Sequence, residues 1–317
     1  APLGEGAALS PSAQIRLLLL RADVALADSQ VDAMQGFLDR ARTLLEAQPE
    51  PDPRLRLDVL SSLARVALEK NLVEQSVDLE RQAVEVARGL PRPHGEALAQ
   101  RLFCLGVVLN KEAREEEALE AWAESLRELA TVRADAPGSL DSPTKVNVLV
   151  KRAVVYAQRM RLDLAKGDLD EAIRIGERMF PPNHPTLLAI HYALSNVHLH
   201  AGRSAEALAE FDIVLAIQRE LYGEESLAVA TTLDSVAKIH AMAGRWEESL
   251  EAGLEMERIR AIHYRLSSMR TGQKSRFHRF IDARHQIGRQ RTRLCRRDAF
   301  RKLGTVLHAE HQRVDVE

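Results

Sequence analysis

Aromatic residues are scarce in this chain, 4% of 317, although 45% of the residues are hydrophobic. An apolar inventory built from Ala, Leu and Val suits closely stacked helices. It argues against a sheet, which draws on aromatic and β-branched positions. Cysteine is scarcer still. The two thiols, Cys104 and Cys295, give neither a disulfide framework nor a metal spacing, and Cys104 reads as a small buried hydrophobe. Long apolar runs are also missing. The run Leu17 to Leu20 is bounded by Arg16 and Arg21 and, like the others, is far too short to cross a bilayer. No leader is visible, which with the unpaired cysteines points to the cytoplasm. The chain starts at Ala1, so a preceding anchor would place it outside instead, and a preceding domain could carry chemistry.

The motifs of catalysis are absent as well. There is no Gly-rich phosphate loop, no His-Glu-x-x-His, no Gly-x-Ser-x-Gly and no paired Cys motif, so neither an enzyme nor a cofactor is expected. Carboxylates such as Glu115-Glu116-Glu117 suit the exposed start of a helix, where acids complement the macrodipole. His191 and His198 are seven apart and share a helix face, which admits a metal. His240 repeats His198 at 42 residues, and packed imidazoles explain both better than a ligand set.

What the chain does have is a repeat. Pro11, Pro53, Pro93, Pro143 and Pro185 each open a long apolar-periodic stretch, and proline fits the first turn of a helix while breaking its interior. Some 17 to 24 residues after each comes a small or polar turn residue with an acid-Ala-apolar triplet behind it. Aligning Asp28, Asn71, Ala113, Gly167, Gly202 and Gly244 gives separations of 43, 42, 54, 35 and 42. Five positions further on stand Ala33, Ser76, Ala118, Ala172, Ala207 and Ser249, small residues that let two antiparallel helices cross closely. Eight positions before the turn lie the apolar knobs Leu20, Leu63, Leu105, Leu194 and Val236, with Arg159 breaking the rule in the Gly167 unit. Phe37, Trp122 and Phe211, nine past the turn, fill the space below the crossing. The surplus between Ala113 and Gly167 contains Asp135 to Ser139, which reads as a loop dividing two stacks. A unit of this kind cannot bury its apolar face alone, so neighbours must stack into one core.

The pattern Gly-Arg-x-x-Glu-Ala-Leu, seen at Gly202 to Leu208, resembles the tetratricopeptide repeat. The 42-residue spacing, with Asn183-His184-Pro185-Thr186 and Tyr222 to Ser226 as linkers, is similar to the kinesin-light-chain type of that repeat. The resemblance spans about residues 12 to 264 and is strongest from Gly167 to Glu257. It implies an all-α fold, a right-handed α-solenoid of stacked helix-turn-helix units, and a scaffold for protein interaction. Arrays of this composition also look like those appended to bacterial signalling proteins, Ser/Thr kinases and transcriptional regulators. The alternative reading is the sensor or effector segment of such a protein.

In that family the first helices of successive repeats line a concave groove. One register, six positions before the turn and one helical turn earlier, supplies the candidate partner-binding residues: Arg65, Phe103, Arg161, Tyr192, Asn196, Asp234 and Lys238. Their donors and aromatic rings suit a protein or peptide partner with an acidic or C-terminal segment. The expected division is a linker over 1–11, the array over 12–264 and a basic tail over 265–317. That tail has 14 basic against 5 acidic residues, which leaves 30 against 41 in the body. Phe280, Ile287 and Leu294 recur at sevens, so the tail suits a cationic helix that caps the last repeat; a solvated extension and nucleic-acid binding are the alternatives. Phe277, Phe280 and Phe300 are its only aromatics, few for base stacking.

Overall fold

The computed structural model describes residues 9–91, 95–131 and 141–271, with side chains described as far as residue 264. Among these residues there are twelve α-helices and no strand. In chain order they are α1 (Pro11–Ala27), α2 (Val31–Glu46), α3 (Pro53–Glu69), α4 (Val73–Arg88), α5 (Gly95–Lys111) and α6 (Glu115–Thr131). There follow α7 (Pro143–Gln158), α8 (Leu162–Met179), α9 (Pro185–His200), α10 (Ser204–Tyr222), α11 (Leu227–Met242) and α12 (Trp246–Thr271). The fold is the expected all-α repeat array. No described helix is long and apolar enough to cross a membrane.

Helix starts follow from the prolines. Pro11, Pro53, Pro143 and Pro185 each occupy the first turn, where a missing N–H costs nothing. The residue before each one caps the helix. The Ser10 hydroxyl, the Asp52 carboxylate, the Ser142 hydroxyl and the His184 ring accept from the backbone N–H of Ala13, Arg54, Thr144 and Thr186. Pro93, the 135–139 loop and the tail from 272 onward lie outside the described residues.

The turns correct the sequence register in two repeats. Positive φ occurs at Ser29, Asn71, Ala113, Met160, Gly202 and Gly244 within the helix pairs. Each of these residues donates its N–H to the carbonyl three back, and the next residue donates to the carbonyl five back, as in Gln30 to Ala25, Arg161 to Tyr156 and Arg245 to His240. This is the Schellman closure, used six times over. The intervals are 42, 42, 47, 42 and 42. Asp28 is therefore one residue early, and Gly167 is not a turn at all but lies inside α8. The Gly167 to Ile173 stretch imitates the motif because glycine and an acid-Ala-apolar triplet also fit mid-helix; the turn itself uses methionine in a left-handed conformation. The first-repeat assignments shift accordingly. Leu20, expected as a knob, is 63% exposed, and Met34 rather than Ala33 is buried at the crossing.

Corrected in this way, the irregular Arg159 disappears and two others emerge, an exposed Arg21 in the first repeat and a half-buried arginine in the fourth. Eight residues before Met160 stands Arg152, at the place of buried Leu63, Leu105, Leu194 and Val236. Its guanidinium is met by the carboxylate of Asp168 in a two-pronged pair, both contacts 2.7 Å.

The chain divides within α10 into two compact units, Ala1–Ile217 and Gln218–Glu317. In the first, consecutive pairs stack in chain order. One buried cluster runs from Ile15 to Val66 and another from Leu57 to Val155, with Leu79 packed against both. Small residues allow the crossings: the Ser76 hydroxyl donates to Ala64 O, and a Cβ on Gly106 would fall 2.3 Å from the Trp122 indole nitrogen. In the second unit α11 packs on α12, and Ser249 repeats the same bond to Ala237 O.

Candidate functional site

Three first helices of the initial repeats bring matched positions to one surface. Six and ten residues before each turn stand Asp23 and Leu19 on α1, Arg65 and Ser61 on α3, and Val107 and Phe103 on α5. All six line one cleft of about 690 Å³. A wider hollow of about 840 Å³ borders α4 at Arg81, Glu85 and Arg88, all of them exposed.

Arg65 and Phe103 are thus brought together as expected, but Arg65 is not free: its guanidinium is hydrogen-bonded to Asp23 of the preceding repeat. The Phe103 carbonyl accepts from the Trp122 indole N–H at 3.2 Å, which ties the cleft wall to the core. Tyr192 and Asn196 occupy the same register on α9, away from this cleft. Tyr192 is 38% exposed and meets Phe211 edge to face, while the Asn196 amide bonds back to Tyr192 O at 3.0 Å. Asp234 and Lys238, in the second unit, pair with each other along α11 at 2.9 Å. Arg161 is misplaced. It is the N-cap of α8, just past the Met160 turn, and Val154 takes the register position assigned to it.

Sequence reasoning missed the charged floor of the cleft. Glu80 on α4 is 4% exposed, and its Oε2 has no hydrogen-bond partner. The nearest cation, Arg101 on α5, stands 3.9 Å from that oxygen, beyond hydrogen-bond reach. Burial drives the Glu80 carboxyl from 4.5 to about 7, with Arg101 pulling the other way. Burial likewise raises Asp58, also in the cleft, and it pushes the Cys104 thiol to about 11 with help from the Glu80 charge. Such a thiol is an inert packing group. A signal for Glu80 was present: nine residues past the turn four of the other five repeats place Leu38, Trp122, Leu169 and Phe211, all buried, the last repeat has Gly253, and here a carboxylate takes that position.

The histidines do not converge. His191 pairs with Glu210 at 2.7 Å, the Nδ1 atoms of His198 and His240 are buried without a partner, and His200 is exposed. No group of three metal-ligating side chains occurs among the described residues. Glu115 and Glu116 open α6 and are bound by Arg159.

Residues 187–260 match the tetratricopeptide repeat model. The chain carries a tetratricopeptide-repeat domain. No curated protein matches the chain at a significant level. Among solved structures this domain is similar to BtubC (BKLC) of P. vanneervenii, at 16% identity over 81% of this chain and 93% of that one, with a TM-score of 0.60. It is also similar to a kinesin-light-chain protein with TPR-like repeats from Podosopora anserina, at 21% identity, 67% and 98% coverage and a TM-score of 0.55. A third likeness is to the Rap conjugation gene regulator of the plasmid pLS20, in complex with a Phr peptide, at 15% identity, 84% and 80% coverage and a TM-score of 0.56. At these identities the tetratricopeptide likeness is one of fold.

Proposed function

We propose that this chain is a non-catalytic interaction scaffold that captures a peptide segment in the cleft formed by α1, α3 and α5 with α4 beneath. The observation that carries the reading is the convergence of one repeat register, Leu19/Asp23, Ser61/Arg65 and Phe103/Val107, on a single 690 Å³ cleft. Three apolar side chains along it can take alternate side chains of a peptide, and polar rims fix its direction. That the similar Rap regulator is held in complex with a peptide supports a peptide as the class of partner. Two of the expected donors, Arg65 and Lys238, are already engaged with Asp23 and Asp234. The array therefore offers fewer free cations to an acidic segment than its register suggests.

Selection of twelve-residue peptides from a displayed random library against the full chain tests the reading. Peptides so obtained should lose at least tenfold in affinity for Ser61→Trp, which fills the cleft, and for Phe103→Ala, which removes its wall. Equal binding to the parent and to both variants would remove this cleft from the function.

A further inference from the structure

We infer that Glu80 anchors a cation subsite: the cleft takes the guanidinium or ammonium of an arginine or lysine side chain carried by the bound peptide. The inference rests on the peptide-binding reading above and names the chemistry of its occupant.

Four of the other five repeats put a large apolar group at this place, Leu38, Trp122, Leu169 and Phe211, all essentially sealed from solvent; only the last repeat departs, with Gly253. A carboxylate there loses hydration and gains no packing. Buried charges persist when they are paired and hydrogen-bonded, yet Glu80 Oε2 accepts nothing and Arg101 remains at 3.9 Å. A pair built only to hold helices together takes the geometry of Arg152 and Asp168, two bonds of 2.7 Å between α7 and α8. The Glu80–Arg101 pair lacks it.

Charge balance in the cleft points the same way. The cleft holds three carboxylates, Asp23, Asp58 and Glu80, against two guanidiniums, Arg65 and Arg101. Arg65 is committed to Asp23, so within the cleft Arg101 serves both Asp58 and Glu80; Arg16, outside it, adds to Asp58 but not to Glu80. One further positive charge completes the set, whereas an acidic side chain would face three like charges. The walls fit the rest of such a ligand. Leu68, Phe103 and Val107 line the same space and can cover a butyl or propyl stem while its head reaches the floor. The terminal torsion of a glutamate is soft, so a small rotation turns either oxygen to the newcomer.

The titratable groups that share the cleft with Glu80 are Asp23 from α1, Asp58 and Arg65 from α3, and Arg101 and Cys104 from α5. With Glu80 titrating near 7, its binding-competent carboxylate is about a tenth populated at pH 6 and about nine tenths at pH 8. Cation capture should therefore strengthen by about tenfold across that range.

The test uses the full chain and acetylated, amidated hexapeptide pools that lack histidine, with one position fixed as Arg, Lys, citrulline or Asp. At pH 8 the Arg and Lys pools should be retained at least tenfold better than the citrulline and Asp pools. The preference should vanish in Glu80→Gln, and the rise from pH 6 to pH 8 should vanish with it. Circular dichroism checks the variant's fold, and Glu80→Leu, which copies the other repeats, replaces it if the amide fails to fold. Equal retention of Arg and citrulline pools, a preference that survives in the variant, or a flat pH profile would overturn the cation anchor while leaving peptide capture standing. Retention of no pool at all would overturn both.

Discussion

Replacing Glu80 with leucine should erase a pH-dependent component of stability in the α3–α5 region. The carboxyl titrates at 4.5 in its ordinary setting and at about 7 in the folded chain, chiefly because burial disfavours the charged form. Between those values the folded state keeps a proton that the unfolded state has released. The contribution is fully present below 4.5 and is lost as pH rises through about 7. At about 1.36 kcal/mol per pH unit, the gap corresponds to roughly 3 kcal/mol. Leucine cannot titrate, so the stability difference between parent and Glu80→Leu should change by that amount from pH 4.5 to pH 8. Only the slope is predicted. A fixed offset from the packing of leucine, or from Arg101 losing its neighbour, cancels in the comparison between pH values. Repeat arrays need not unfold in one step, so the measurement is native-state hydrogen exchange of amides in α3, α4 and α5, corrected for intrinsic exchange. A parent-minus-variant difference that stays level across this range would refute the burial argument and weaken the case for an unsatisfied anchor.

Gly106→Ala would place a methyl 2.3 Å from the Trp122 indole nitrogen and force the ring away from its bond to Phe103 O, at a cost of about 1–3 kcal/mol. A denaturation midpoint within error of the parent would show that the crossing is looser than it stands here. Asp168→Ala should cost about 3–5 kcal/mol, because it strands the Arg152 guanidinium, 19% exposed, between α7 and α8. The double change of Arg152 and Asp168 to leucine should recover most of that in urea unfolding, since leucine is what Leu63, Leu105 and Leu194 already supply at the first position. No recovery would mean that the pair does more than neutralise itself. Met160→Gly should stabilise by about 0.5–1 kcal/mol, since a left-handed conformation costs a side-chain-bearing residue more than glycine loses in chain entropy. An unchanged or lower melting temperature would refute it.

Helix existence and the stacking mode were legible because they rest on local chemistry that repeats. Proline after a capping residue starts a helix wherever it stands, and Ser10, Asp52, Ser142 and His184 all cap as their neighbours suggest. Turns were legible only where glycine marks them, at Gly202 and Gly244, or where the spacing leaves one choice, at Asn71 and Ala113. Met160 was hidden because a non-glycine left-handed residue carries no compositional mark; its conformation is imposed by the two hydrogen bonds that close the helix end. A false glycine seven residues later completed the deception. That single displacement also explains why Arg161 was put on the groove face: counting back from the wrong turn moves every later assignment in the repeat by two helical turns.

The site was half legible for a related reason. Register identifies which positions face the cleft, so Arg65 and Phe103 fell in place, but it does not report what those groups already hold. Asp23 belongs to the same register one repeat earlier, and it takes the Arg65 charge only because two first helices lie side by side. Glu80 shows the opposite case. Its register marks it as core, and its chemistry contradicts that place. In a repeat array the other copies state what a position needs for folding, so a residue that meets that need poorly is a candidate for some other demand. Arg152 is a second such departure, and Asp168 resolves it within the chain with two bonds. Glu80 is not resolved in that way, and this difference between two equally irregular residues is what directs attention to the cleft.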